Sequence, residues 1–252
     1  MNKLFGNSLK KVLLCNRNIL NDYNIKMCKM MFRKISIAVV LVLATSTLYG
    51  QVFRFGILFD PTITWLRSDI DKVKRDKARI GFDIGMTADY FFSRNYAFAS
   101  GISLFNMGGT LQYIDGVTLR TKDKDQIIDA EGKVKYMIQY VKIPVAMKFK
   151  TSEIGRLTYS ANLGFDPMFR VSTRVNYWDK IEERFVKKVK ANQETKFFNL
   201  GVHFGGGAQY SLGGDASIFA GLSFMNSFFD ITKRSRDRIT SNNLVIRIGV
   251  MF

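Results

Sequence analysis

His203 is the single histidine of this 252-residue chain and the first residue to weigh for chemistry. Acyl transfer would need its imidazole beside a serine nucleophile and an orienting acid. A metal site needs several ligands, and one histidine with aspartates far away in sequence does not make a set. Thiol chemistry is confined to Cys15 and Cys28, both within the first thirty residues. Gly205-Gly-Gly207 has the composition of a phosphate loop, but it lies inside an alternating segment and opens no helix, so the cofactor reading fails. The expectation is no enzyme, with no catalytic residue, no cofactor and no metal ligand. His203 is expected to serve as an interior hydrogen-bonding group. The charges carry more information. Arg54, Lys142, Lys148, Lys150, Arg170 and Arg247 fall on the same face of their segments as Asp60, Asp83, Asp89 and Asp166. If that face is enclosed, opposite charges on it should pair, because an unpaired buried charge is costly.

What must position these groups is a set of segments with a side-chain period of two, the mark of strands with one apolar face. Residues 243–252 set Leu244, Ile246, Ile248, Val250 and Phe252 against Val245, Arg247, Gly249 and Met251. Seven further segments do the same. Phe53 to Trp65 and Ile80 to Tyr90 are the first two, and Tyr96 to about Met107 is the third. Val141 to Lys150 is the fourth, with Val141, Ile143, Val145, Met147 and Phe149 opposite Lys142, Ala146, Lys148 and Lys150. Leu157 to Phe165, Phe198 to Tyr210 and Ile218 to Ser227 complete the set. Pro61, Pro144 and Pro167 lie inside these segments and, lacking an N–H, are expected at bulges or rim distortions.

Connections alternate too. Turns near 93–95, 151–155 and 211–215 are short and rich in Ser, Gly, Asn and Asp. The connections 67–78, 108–134, 173–194 and 229–242 are long and charged. In 173–194, Trp178, Ile181, Phe185 and Val189 fit a helical stripe as well as an extended hairpin. A soluble barrel of the lipocalin type is the competing architecture. The polar face decides against it: a water-facing surface would be crowded with Lys and Glu. This face is mainly Gly, Ser, Thr and Asn, which suits a narrow interior, and Phe53, Trp65, Tyr90, Tyr96, Tyr210 and Phe252 stand at the apolar segment ends as interfacial aromatics do. The fold expected is all-β, an eight-stranded antiparallel up-and-down transmembrane β-barrel with short periplasmic turns, long outer loops and a filled polar lumen.

The first fifty residues read as export signals rather than fold. Met31, Phe32, Arg33 and Lys34 form a basic start, Ile35 to Ala44 a short apolar run, and residues 45–50 a small and polar cleavage region. The domain reading is 1–30 an upstream extension, 31–50 a signal peptide and 51–252 the barrel. Translation from Met31 is expected, with Met1 and a long basic leader as the alternative. Removing residues 1–50 lowers the net charge from +17 to +10, which leaves the mature part basic.

The motifs Gly81-Phe-Asp-Ile-Gly85, Gly101-Ile-Ser-Leu104 with Gly108-Gly109, and Tyr140-Val-Lys-Ile-Pro-Val145 leading to Lys148-Phe-Lys150, with Gly164 beyond, carry a resemblance. The trimmed chain resembles the PorT-like outer-membrane β-barrel family of the Bacteroidetes over most of 52–252. That resemblance implies an eight-stranded barrel in the cell outer membrane and, in the family's namesake, a part in type IX protein secretion. It brings no catalytic residues. The partners expected are outer-membrane lipid and lipopolysaccharide, secretion-system components, and the barrel assembly machinery reading the last strand to Phe252, with no nucleic acid. A lipid-modifying enzyme and a surface adhesin or ligand binder are the alternative functions.

Overall fold

The sixteen residues of β1 (Phe53–Ser68) show how the chain closes on itself. Phe53, Phe55, Ile57, Phe59 and Ile63 are exposed, whereas Gly56, Leu58, Asp60, Thr62, Thr64 and Leu66 are buried. The strand has an antiparallel partner on each side, β3 (Arg79–Ser93) and, from the far end of the chain, β13 (Ile239–Met251). This computed structural model describes residues 53–252 apart from 122–124, 180–183 and 235–237. The expectations for the upstream extension and the signal peptide lie outside the described residues.

The remaining staves are β4 (Tyr96–Tyr113), then β7 (Gly132–Lys142) and β8 (Val145–Lys150) in line, β9 (Leu157–Asp179), β11 (Phe198–Gly213) and β12 (Ala216–Ser227). Each pairs with the next, β12 pairs with β13, and the ring of eight antiparallel staves is complete at β1. Closure satisfies the backbone within the wall, which is what a strand-built membrane protein requires. Tight turns join β3–β4 at Arg94 and Asn95, and β11–β12 at Gly214 and Asp215, with a longer connection at 151–156 between β8 and β9. Gly213 and Gly214 take φ of +104° and +61°, the positive angles that tight hairpin turns demand.

At the other end the long connections contain strands of their own: β2 (Val73–Lys77) on β4, a separate hairpin of β5 (Val117–Arg120) and β6 (Asp125–Ile128), and β10 (Arg184–Lys190) on β9. Two boundaries need correcting. The connection expected at 108–134 is shorter, since Gly132–Lys142 pairs continuously with residues 103–113 of β4. The one expected at 173–194 is a hairpin of β9 and β10, which decides between the helical and extended readings.

Alternation changes sign between the two ends. In the lower part the outward residues are apolar; Ile80 to Tyr90 of β3 span roughly 25 Å along the barrel axis at ordinary strand rise and tilt, the height of a hydrocarbon band. In β7 the outward Lys133 and Lys135 are exposed, while the inward Val134, Tyr136, Ile138 and Tyr140 are buried. In β4, likewise, Phe105, Met107, Leu111 and Tyr113 point in, with Asn106, Thr110 and Gln112 opposite. A segment standing in water must hide its apolar side, and here that side is the interior. These residues join Leu66, Val175, Tyr177, Met225, Ile231 and Ile239 in one hydrophobic cluster. The expectation of a polar lumen therefore holds for the membrane half and fails for the long-loop half, which an apolar core fills.

At Pro61 and Pro144 the ladder is distorted locally, and the bulges that were the other expectation are absent. On both sides of Pro61 the β1–β13 ladder keeps one register, Leu58 opposite Gly249 and Thr62 opposite Val245. Across Pro144 the register on β9 is equally unbroken, Lys142 opposite Met168 and Val145 opposite Phe165. No residue is inserted, so these are local openings of the ladder rather than bulges. Register shifts in the wall lie instead beside the short turns, at Phe91/Ser93 and Ser211/Gly213, and at Val171, where Gln139 pairs with Ser172 and Tyr140 with Arg170. The Val171 bulge switches the inward positions of β9 from Asp166 and Met168 to Thr173, Val175 and Tyr177. Nearby, Gly108 has φ +154°, and an added Cβ would stand 2.1 Å from the Tyr136 carbonyl oxygen, so only glycine fits.

Candidate functional site

Six staves deliver charge to the middle of the lumen: Asp60 from β1, Asp83 and Asp89 from β3, Lys142 and Lys148 from the β7–β8 stave, Asp166 from β9, His203 from β11 and Arg247 from β13. Each arrives there because it sits on the inward phase of an alternating strand whose outward phase is apolar. The structure pairs them one to one. Lys142 binds Asp83 in direct contact. The Lys148 ammonium lies 2.5 Å from Asp89, His203 Nδ1 lies 2.9 Å from Asp166, and Arg247 Nε lies 3.6 Å from Asp60. The other oxygen of Asp60 accepts the Ile248 N–H at 2.9 Å, at the level where Pro61 opens the ladder. All four carboxylates are at most 2 % exposed; Asp60, Asp83 and Asp89 depend on their cationic partners for charge compensation, and Asp166 is hydrogen-bonded to His203.

The remaining interior charges of the sequence reading lie apart from this network. Arg54 reaches the Asp215 carbonyl oxygen at 3.5 Å, and Lys150 lies over the ring of Phe91, 4.5 Å from its centroid, both at the short-turn end. Arg170 stands at the β9 bulge.

Two small cavities lie among these groups. One of about 40 Å³ is lined by Asp83, Lys142, Asp166 and His203, and one of about 50 Å³ by Asp89, Lys148 and Arg247. Spaces of this size suit single waters, not a substrate. His203 with Asp166 has the form of an oriented imidazole, but a serine or threonine hydroxyl bonded to His203 is not among the described hydrogen bonds. Gly205 and Gly207 prove to be close approaches to the neighbouring strand, where an added Cβ would meet the Leu222 and Ala220 carbonyl oxygens of β12 at 2.7 and 2.4 Å.

The long-loop end is stitched into a cap. Thr195 and Thr232 form a bridge, the Lys196 N–H donates to the Ile231 carbonyl and the Lys233 N–H to the Glu194 carbonyl, both at 2.8 Å. The buried Glu194 carboxylate accepts from the Arg120 backbone N–H and from Arg234. Although burial works against the Arg234 charge, Tyr136, Tyr113 and Glu194 hold its guanidinium above the ordinary value. Tyr113 and Tyr136 hydroxyls meet at 2.8 Å beneath it. None of this cap was legible as a site, because its apolar residues sit on the phase that is polar lower down.

Outside, aromatic contacts mark two levels. Phe53–Tyr90, Phe92–Phe98 and Tyr96–Phe149 lie toward the short turns, with ring centroids 4.9, 5.0 and 5.8 Å apart. Phe169, Phe197, Phe198 and Phe229 form a chain of contacts toward the cap, at 5.4–6.1 Å. On the cap side of the second level, the wall of β7, β9 and β10 exposes Lys133, Lys135, Arg174, Lys187, Lys188 and Lys190. Lys133 also pairs with Asp76 at 2.7 Å.

The sequence pattern of the family described as outer membrane protein beta-barrel domain matches residues 49–233. No curated protein matches the chain. Among solved structures, it is similar to the outer membrane protein OprG from Pseudomonas aeruginosa, with 11% identity and a TM-score of 0.43 over 79% of this chain and 94% of that one. Neisserial surface protein A gives 10% identity and 0.42 over 78% and 95%. A major outer membrane protein from Thermus thermophilus gives 12% and 0.43 over 80% and 99%. At these values the likenesses are remote.

Proposed function

The chain belongs to the outer membrane protein beta-barrel domain family, and from that premise we propose that it is a closed, non-enzymatic barrel with a structural or accessory role. The observation that carries this reading is the filling of the lumen at both levels. Ion pairs occupy the middle of the membrane half and an apolar core the cap half, so no conduit runs through the barrel and no substrate chamber lies between them. Function then falls to the outer surfaces. The strand-built cap is a platform above the lipid, suited to docking a component of a secretion assembly. The resemblance to PorT-like proteins names type IX secretion as the assembly to test. The six exposed cations on the β7–β9–β10 wall, next to the aromatic level, are placed to meet lipopolysaccharide phosphates. In this reading residues 31–50 direct export, and the strand ending at Phe252 is what the barrel assembly machinery receives.

The test is a chromosomal deletion followed by a census of exported proteins, with the intact gene and a cap-surface variant as complements. Loss of a defined set of exported proteins, restored by the intact gene alone, supports the accessory role through the cap. An unchanged set of exported proteins removes the type IX reading. One observation favours a second reading, a surface adhesin or ligand binder: the cap loops share a hydrophobic core and so present a fixed surface. Normal export combined with lost adhesion of the deletion strain would select it.

A further inference from the structure

The mouth at the short-turn end is built unlike the rest of the lumen. A cavity of about 310 Å³ opens there, lined by Arg54 of β1, Arg94 of the β3–β4 turn and Lys150 at the end of β8. Glu153 is the one carboxylate among its lining residues, and it stands exposed on the rim. The other polar groups are neutral, Ser211 and Ser217 among them. One level deeper, Lys148 and Asp89 cancel each other. The floor is closed by Gln209, whose amide donates to Ser217 and which also lines the smaller cavity beneath. The result is a blind cup holding two guanidiniums and an ammonium. None of the three has a carboxylate partner among the described salt bridges.

We propose that this cup is a phosphate-binding site, with Arg54, Arg94 and Lys150 as its cationic ligands. Charges of one sign gathered within low-dielectric walls focus the field and draw in a counter-ion. Guanidiniums match phosphate oxygens two at a time, and the ammonium adds a point charge. The volume lies at the lower end of small-ligand pockets and holds a phosphate or pyrophosphate group comfortably. A closed floor means that the group binds and leaves from the same side, the periplasmic one in barrels whose short turns face the periplasm. Two sources share this chemistry. One is a soluble phosphate compound. The other is a phospholipid headgroup of the adjacent leaflet, because Asn95, Lys150 and Thr151 also edge an outer groove formed by Tyr96, Phe149 and Tyr159 at the aromatic level.

The experiment uses the full mature barrel in zwitterionic detergent or in nanodiscs. Calorimetric titration with inorganic pyrophosphate reads the soluble arm. Retention of phosphatidylglycerol in mixed nanodiscs reads the lipid arm. Arg54→Gln with Lys150→Gln should weaken pyrophosphate binding or phosphatidylglycerol retention at least tenfold, whichever probe the native protein binds. Lys74→Gln with Lys77→Gln, exposed on β2 at the opposite end of the barrel, should leave it unchanged. If the double variant fails to fold by the heat-shifted gel mobility of intact barrels, Arg94→Gln in the exposed turn takes its place and should weaken binding by several-fold. Equal binding by native and mouth variants overturns the proposal, as does a native barrel that binds neither probe. Failure here leaves the closed-barrel reading standing, since that rests on the ion pairs above and not on the mouth.

Discussion

Replacing Lys142 by methionine removes the charge that compensates Asp83 while keeping similar bulk. The Asp83 carboxylate is about 1 % exposed, and the other acids of the same cavity are engaged elsewhere, Asp60 with Arg247 and Asp166 with His203. Two opposite charges at roughly 4 Å attract by about 4 kcal/mol at an effective dielectric of about 20. Stranding one member of a buried pair costs about 3–5 kcal/mol. Lys142→Met is therefore expected to lower stability by that amount. Asp83→Leu should cost less, because Lys142 keeps Asp166 within the same cavity. The double variant should recover most of the loss, giving a coupling of about 2–4 kcal/mol, since an apolar pair can replace an ionic one at little cost. Equilibrium urea unfolding in lipid vesicles, followed by tryptophan fluorescence from Trp65 and Trp178, measures all four corners of the cycle. A single-variant loss below about 1 kcal/mol with coupling below about 0.5 kcal/mol would mean a hydrated, open lumen and refute the reasoning.

Three further outcomes follow from the same structure. Tyr136→Ala should destabilise the cap by about 3–5 kcal/mol, whereas Lys135→Ala, one residue away on the opposite phase, should stay within about 0.5 kcal/mol; unfolding of both variants checks it. Ile246→Lys, on the outward face of β13, should cost about 2–4 kcal/mol in bilayers, and Thr110→Glu, outward on β4 at cap level between Lys77 and Lys135, should cost almost nothing. Phe252→Asp should reduce the amount of barrel reaching the outer membrane in fractionated cells, and normal amounts would remove its role as the end of the assembly signal. In the structure Phe252 exchanges backbone hydrogen bonds with Phe55, N–H to carbonyl at 2.7 and 3.1 Å, so the readout must separate delivery from barrel closure.

All eight staves were legible, because in the membrane half each strand has lipid on one side and a narrow polar interior on the other. Arg247 inward with Ile246 and Ile248 outward is the clearest case. The cap was not legible, for the same physical reason turned over. Val134, Tyr136 and Ile138 alternate with Lys133, Lys135 and Met137 as regularly as any membrane segment, but with water outside. Periodicity alone does not say on which side the water lies. The pairing of lumenal charges followed from shared phase, yet the partner of each did not, since Asp83 and Lys142 are 59 residues apart and sit on staves separated by β4. For the prolines the sequence left bulges and local distortions open, and at Pro61 and Pro144 no residue is inserted. Asp60 shows the cheaper solution, a carboxylate oxygen accepting the Ile248 N–H at the opening. The Val171 bulge lay beyond sequence reasoning, because it is defined only against the register of β7.

The central claim is a barrel closed to through-passage, blocked by ion pairs in the membrane and by an apolar core in the cap. Single-channel recording of the purified barrel in planar bilayers tests it most directly. The account predicts no steady conductance for the native protein. Large, steady conductance from the native barrel would contradict it.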